Sequence, residues 1–307
     1  MSRTQTRGTP LSAPPPPVTA SVEVERVVSD VVTPKLRLWM GDLDDAIPRV
    51  LGDGDDEAVH DLRVSLRRIR SVLRLVRPVY GKYHVDDVRE GMRRVAGATG
   101  SLRDEEVLHE TLAAISLAQE HQRAIKPWLT RRLQRERMLR RAVVNMLDAR
   151  TLDPPVHRLR ALLQLPVAPR NDKEVRRFAR QAVLDAQLVV DARRAVDVDD
   201  ITGMHNLRIA YKRLRYAVEA FSRVLPPELR SWGEVATKFQ KVLGTLHDHD
   251  VAIDVVTRAP AIPEAPRAAL VEALRQRRHQ VAQEYIKLAG PDYLPSQSKG
   301  DPPGDDG

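Results

Sequence analysis

The 307-residue chain carries 50 Lys and Arg against 42 Asp and Glu, a formal charge of +8, and only 4% of its residues are aromatic. It has no cysteine, which excludes disulfides, thiolate metal sites and cysteine nucleophiles. It also lacks any apolar run approaching the roughly 18 residues of a membrane-spanning helix, and no signal-peptide core opens it, so the expected location is cytoplasmic. The positive balance directs attention to anionic partners: nucleic acid, phosphate polymer, acidic protein or membrane surface.

Residues 1–20, with the Pro14–Pro17 run, read as a disordered tail. Residues 22–48 show helical periodicity, with Pro34 expected to break or kink it. An acidic turn at 53–57 supplies Asp55 or Asp56 as a cap for the next helix. That helix, 58–76, is the most informative stretch. At about 100° per residue, His60, Arg63, Arg67, Arg70 and Arg74 share an arc of about 80°. Leu62, Leu66, Ile69, Leu73 and Val76 form an apolar stripe beside them. Pro78 is read as its end. A helix at 86–96 is followed by Gly97-Ala98-Thr99-Gly100, then by Ser101-Leu102-Arg103-Asp104 and a helical stretch to about Glu120. An Arg-dense helix runs from His121 to Leu147, with Pro127 near its start. Residues 151–170 are Pro-rich and read as a linker.

The second half repeats these landmarks. A helix at 173–196 precedes a second basic helix at 203–221, in which His205, Arg208, Lys212 and Arg215 follow the first stripe 145 positions later. Glu219 falls where Arg74 would recur. Pro226 and Pro227 stop this helix, a helix at 228–243 leads to Gly244-Thr245-Leu246-His247-Asp248, and a last helix spans about 264–288 before a polar tail at 291–307. The expected organisation is all-α and duplicated, with a domain over 21–290 whose halves cover about 21–150 and 171–290.

A solvated helix face normally mixes signs, whereas Arg63/Arg67 and Arg70/Arg74 place like charges at i,i+4, each pair costing roughly 0.2–0.5 kcal/mol in an isolated helix. Two such rows in matching register point to binding. The first spans about 21 Å along the helix axis, a length suited to an extended polyanion held by bidentate arginines. Arg94 and Lys238 occupy equivalent positions in the following helices and extend the candidate groove, with Arg131 and Arg135 as weaker candidates. His60 and His205 head the rows as donors to anionic oxygen. His247-Asp248-His249-Asp250 has the look of a metal motif, but its counterpart Arg103-Asp104-Glu105-Glu106 has no histidine, so no metal is expected. Asp104 and Asp248 are candidates to orient the basic side chains of the rows or to cap helices, with structural salt bridges the expected role. No Gly-rich phosphate loop, nucleophile elbow or triad is present.

The runs His60-x-x-Arg63-x-x-x-Arg67-Arg68-x-Arg70 and His205-x-x-Arg208-x-x-x-Lys212-Arg213-x-Arg215-Tyr216, with the Gly-x-Leu-x-Asp segments at 100–104 and 244–248, resemble the CHAD family, the conserved histidine α-helical domain. The resemblance covers roughly 22–290. It implies two pseudo-symmetric four-helix bundles around a basic central channel, and binding of inorganic polyphosphate, in some members with association to polyphosphate granules. It carries over to His60, Arg63, Arg67, Arg70, His205, Arg208, Lys212 and Arg215; Arg74, Arg94 and Lys238 are extensions from periodicity. Some relatives carry a triphosphate-processing domain, but no E-x-E-x-K signature stands near the N-terminus here, so the expected function is non-enzymatic and needs no cofactor. A nucleic-acid-binding protein and a metal-dependent phosphohydrolase are the alternatives. Nucleic acid is disfavoured because neither basic row carries regularly spaced aromatics.

Overall fold

The computed structural model describes residues 28–52, 56–165 and 171–290. The tails at 1–20 and 291–307, the acidic turn at 53–55 and the linker residues 166–170 lie outside the described residues. Ten helices and no strand occur among the described residues. They are α1 (Val28–Leu51), α2 (Asp56–Leu75), α3 (Arg77–Tyr80), α4 (Lys82–Ala113), α5 (Gln119–Asp148), α6 (Asp153–Leu162), α7 (Asp172–Asp191), α8 (Ile201–Phe221), α9 (Pro227–Thr257) and α10 (Glu264–Ala289).

The apolar periodicity becomes the core. Leu62, Leu66, Ile69 and Leu73 of α2 are fully buried, as are Leu207, Ala210 and Phe221 of α8. Burying one such Leu or Ile side chain contributes about 1.5–3 kcal/mol, which outweighs weak local propensity. α7 opens with a capping box, Asn171 accepting from the Glu174 backbone N–H at 2.9 Å. Asp200 caps α8 by accepting from Gly203 N at 2.9 Å.

Successive long helices pack as neighbours, α1 on α2, α2 on α4 and α4 on α5, then α7 on α8, α8 on α9 and α9 on α10. Contacts between the two sets join α2 to α8, α4 to α9 and α5 to α10. The helices bearing the matching motifs therefore meet.

Two apolar clusters hold this arrangement. The larger contains the α2 and α8 stripes and the core residues of α1, α6 and α7. The smaller gathers Leu108, Leu112, Ile125 and Trp128 with Val256, Leu270 and Leu274 where α4–α5 and α9–α10 turn. Between them α4, α5, α9 and α10 carry charges. Buried Glu105 lies 2.8 Å from both Arg132 and Arg135, and Arg278 reaches Asp250 at 2.5 Å and Asp199 at 2.9 Å. The two buried carboxylates, Glu105 and Asp250, are thus paired, as burial requires.

Several breaker signals are overridden. α1 runs unbroken through Pro34, because Val31, Val32 and Leu36 around it are all core residues. Pro127 lies in the interior of α5 rather than near its start. α4 continues through Gly97-Ala98-Thr99-Gly100 and α9 through Gly244. A helical glycine costs about 1 kcal/mol relative to alanine, less than the packing of the flanking Val95, Leu102, Leu243 and Leu246 returns. α2 ends at Leu75, Pro78 lies within the first turn of the single-turn helix α3, and Gly81, at φ 88°, makes the bend into α4. The expected linker contains α6, whose Val156, Leu159 and Leu162 are buried. It packs so closely on α4 that a Cβ added at Gly91 would lie 2.8 Å from Pro155.

Candidate functional site

Where α2 and α8 meet, Arg63 and Arg67 approach Arg208, Lys212 and Arg215, and Arg70 follows one turn on, beside Arg89 and Arg93 of α4; all six are part-buried. None of these six cations forms an ion pair with a described carboxylate, and the Nε atoms of Arg67, Arg70, Arg208 and Arg215 are buried without a hydrogen-bond partner. Tyr216 sits among them. Arg215 donates to its hydroxyl at 3.1 Å and lies 4.8 Å from its ring centroid, with Arg67 6.0 Å from the same ring.

The electrostatics report the crowding. Burial, then the charges of Arg208, Arg67, Arg215 and Arg63, pushes Lys212 down to about 7. Burial also lowers Arg63 and Arg208, with partial relief from Asp104 for the first and Asp248 for the second. Asp104 and Asp248 stand close enough to act through space but form no ion pair among the described residues, contrary to the salt bridges expected of them, and their mid-helix positions rule out capping. Burial raises Asp248 itself. Gly100 leaves room above α4: a Cβ there would lie 3.5 Å from an Arg63 Nη.

The two leading histidines part company. His60 is exposed at the start of α2. His205 faces His247, Nδ1 to Nδ1 at 3.4 Å. Burial, then Arg208, lowers both, His247 to about 4, so this pair is uncharged at neutral pH. His249 is turned away, bonded to the Thr245 carbonyl at 2.8 Å, and Asp250 is held by Arg278, so the His247–Asp250 run points in different directions. Arg74 is exposed at the end of the row. Arg94 and Lys238 are exposed on α4 and α9, and no hydrogen bond or ion pair among the described residues joins either to the cluster. Arg131 is exposed, and Arg135 is committed to Glu105.

Beyond Arg67 the row opens into a cleft of about 600 Å³ between α2 and α7. Arg67, Arg70 and Arg74 line it together with Arg77, Arg89, Arg213 and Tyr216, which were not among the expected site residues. Arg77 continues the alternating three- and four-residue spacing of the row, a signal hidden by reading Pro78 as the helix end. Arg77 and Arg89 share Asp86, which both hold below the usual carboxylate range despite opposing desolvation. Arg213 faces Arg74 electrostatically and, like it, has no described counterion.

On the α8 side the equivalent place is filled. Glu219 lies 3.3 Å from Arg68, whose guanidinium carbon is 5.9 Å from the Trp39 ring centroid, and Lys35 donates to the Glu219 carbonyl and to Ser222 Oγ.

Among solved structures, the CHAD domain from the plant Ricinus communis superposes with a TM-score of 0.67 at 21% identity, covering 85% of this chain and 91% of that one. PptA from Streptomyces chartreusis superposes at 0.60 with 19% identity, covering 85% of this chain and 98% of its own. At these identities the likeness is one of fold. No curated protein matches the sequence. No helix among the described residues is long and apolar enough to cross a membrane. The family model described as CHAD domain matches residues 36–257, most of the chain, and the chain belongs to that family.

Proposed function

We propose that this protein binds inorganic polyphosphate without cleaving it, through the cations that α2 and α8 bring together. The observation that carries the reading is the cluster of Arg63, Arg67, Arg208, Lys212 and Arg215, continued along α2 by Arg70, all part-buried and none in an ion pair with a described carboxylate. Holding like charges together in a poorly solvated place is costly, and a chain of phosphates supplies both the missing negative charge and acceptors for the orphaned Nε donors. Family membership supports the same ligand. Glu219 ends the row on α8, so the open α2–α7 cleft is the expected mouth of the site. Such binding would bring the protein to polyphosphate granules where these form.

A nucleic-acid reading gains little. Tyr211 is stacked on Phe239 at 4.5 Å and Tyr216 is only 4% exposed, so neither offers a platform for a base. A metal-dependent hydrolase would draw on His60, His205 and nearby acids, but His60 is exposed at the start of α2 while His205 faces His247, and no group of three His, Asp or Glu among the described residues converges to hold a metal ion.

Isothermal titration with long-chain polyphosphate at several salt concentrations tests the proposal. Saturable binding that weakens steeply with salt is expected, through release of counterions. Absence of saturable binding at moderate salt would overturn it. Duplex DNA displacing the polymer at equal phosphate concentration would remove its specificity.

A further inference from the structure

The α2–α7 cleft has one wall that a bare phosphate chain does not explain. Arg67, Arg70, Arg74 and Arg213 form a basic side that makes no ion pair with a described carboxylate. Facing them, Phe178, Ala182, Ala186 and Val189 run along α7 as an apolar stripe. Phe178 is braced edge-on against Phe221, with ring centroids 5.9 Å apart, and the two alanines keep the helix surface flat beside it. In the same wall stands Asp185, exposed and accepting a hydrogen bond from the Gln181 amide at 2.7 Å. A polyphosphate gains nothing from an apolar stripe and is repelled by a carboxylate set opposite the arginines. The volume of about 600 Å³ falls within the range of small-molecule sites.

These features suit a ligand with phosphates at one end and, at the other, a flat apolar body edged with N–H donors. We propose that the cleft binds a nucleotide, its phosphates on the α2 arginines and Arg213 and its base lying along α7. The base exchanges the Gln181–Asp185 bond for its own: a carboxylate accepts from exocyclic amino and ring N–H groups, and a glutamine amide both donates and accepts. The inference rests on the reading above insofar as Arg67 and Arg70 are open to phosphate; the α7 wall is independent of it.

The test compares ATP, GTP and inorganic tripolyphosphate by isothermal titration, with long-chain polyphosphate measured on the same samples. At least one nucleotide is expected to bind about tenfold more tightly than tripolyphosphate, the size of one hydrogen bond to a charged group, although tripolyphosphate carries at least as much charge. Asp185→Lys, on the helix surface, separates the two contributions. It should tighten tripolyphosphate and abolish the nucleotide's advantage, while Asp185→Asn should reduce that advantage in part. The inference fails if tripolyphosphate binds as tightly as both nucleotides, or if Asp185→Lys tightens all three ligands alike. Long-chain polyphosphate binding without nucleotide preference would leave the proposed function standing and remove only this inference. Binding of neither would remove both.

Discussion

The place beside Arg74 on α2 and the place beside Glu219 on α8 lie 145 residues apart in sequence, yet one is open and the other closed. On the α2 side, Arg67, Arg70 and Arg74 line a cleft of about 600 Å³. On the α8 side, Glu219 engages Arg68, and Lys35 crosses from α1 to the Glu219 carbonyl and Ser222. Similar helix sequences thus give different electrostatic surfaces through one reversal of charge. The neighbours Arg67 and Arg68 show the same point at closer range. Arg67 points its uncompensated charge towards Tyr216 and Lys212, whereas Arg68 has a carboxylate partner and an aromatic ring beneath it. A count of arginines does not distinguish them; their surroundings do.

The widest separation should come from reversing these two neighbours. Arg67→Glu should weaken polyphosphate binding about a hundredfold, because it removes charge-assisted bonds of about 1.5–3 kcal/mol each and adds repulsion. Arg68→Glu should cost affinity about threefold or less, and its main effect should be a lower melting temperature, since it sets two carboxylates side by side. Titration and thermal melting of both variants check this, and equal affinity losses would erase the contrast. Next in size, Glu219→Arg should extend the row on α8, raise polyphosphate affinity about tenfold at low salt and steepen the log–log salt dependence by about one unit. An unchanged salt slope would mean that the α8 end takes no part.

The pH response is smaller. Lys212 is held at about 7 in the free protein, and a polyanion raises that value, so binding near neutral pH takes up a proton. Affinity should rise severalfold from pH 8 to pH 6, and Lys212→Met should flatten this change. Stability moves in the opposite sense. The folded pKa lies below the unfolded 10.5, so the unfolded chain binds the proton first as pH falls. Between 10.5 and about 7 the free protein loses stability on acidification, and below that window the full cost persists. Thermal melting of Lys212→Met against wild type should show the largest gain below pH 7. The smallest effect separates two helical glycines. Gly244, with nothing within 4 Å of an added Cβ, should accept alanine with a gain of about 1 kcal/mol. Gly91→Ala, against the rigid Pro155 ring, should cost about 1–3 kcal/mol by denaturant unfolding.

Much of this architecture is legible in the sequence because periodicity and burial coincide. The stripe from Leu62 to Val76 is core throughout, and the stripe in matching register on α8 is core at Leu207 and Leu214. Local breakers mislead because tertiary packing outweighs them: Pro34, Pro127, Gly97, Gly100 and Gly244 all lie inside continuous helices. In the site, register identifies the converging cations Arg63, Arg67, Arg208, Lys212 and Arg215 but not their environment. His60 and His205 match in sequence, yet one is exposed and the other faces His247, because the residue corresponding to His247 in the first half is Arg103. Arg103 instead pairs with Glu106 and Glu110. The α7 wall carries no motif at all, and its place opposite the arginines follows only from how α7 packs on α8.

The central claim is that the cations shared by α2 and α8 hold polyphosphate. Its most direct test is titration of long-chain polyphosphate into the Arg63→Glu/Arg208→Glu double variant, with circular dichroism to confirm the helical fold. Loss of saturable binding in a folded variant is the predicted result. Affinity equal to wild type in that folded variant would contradict the account.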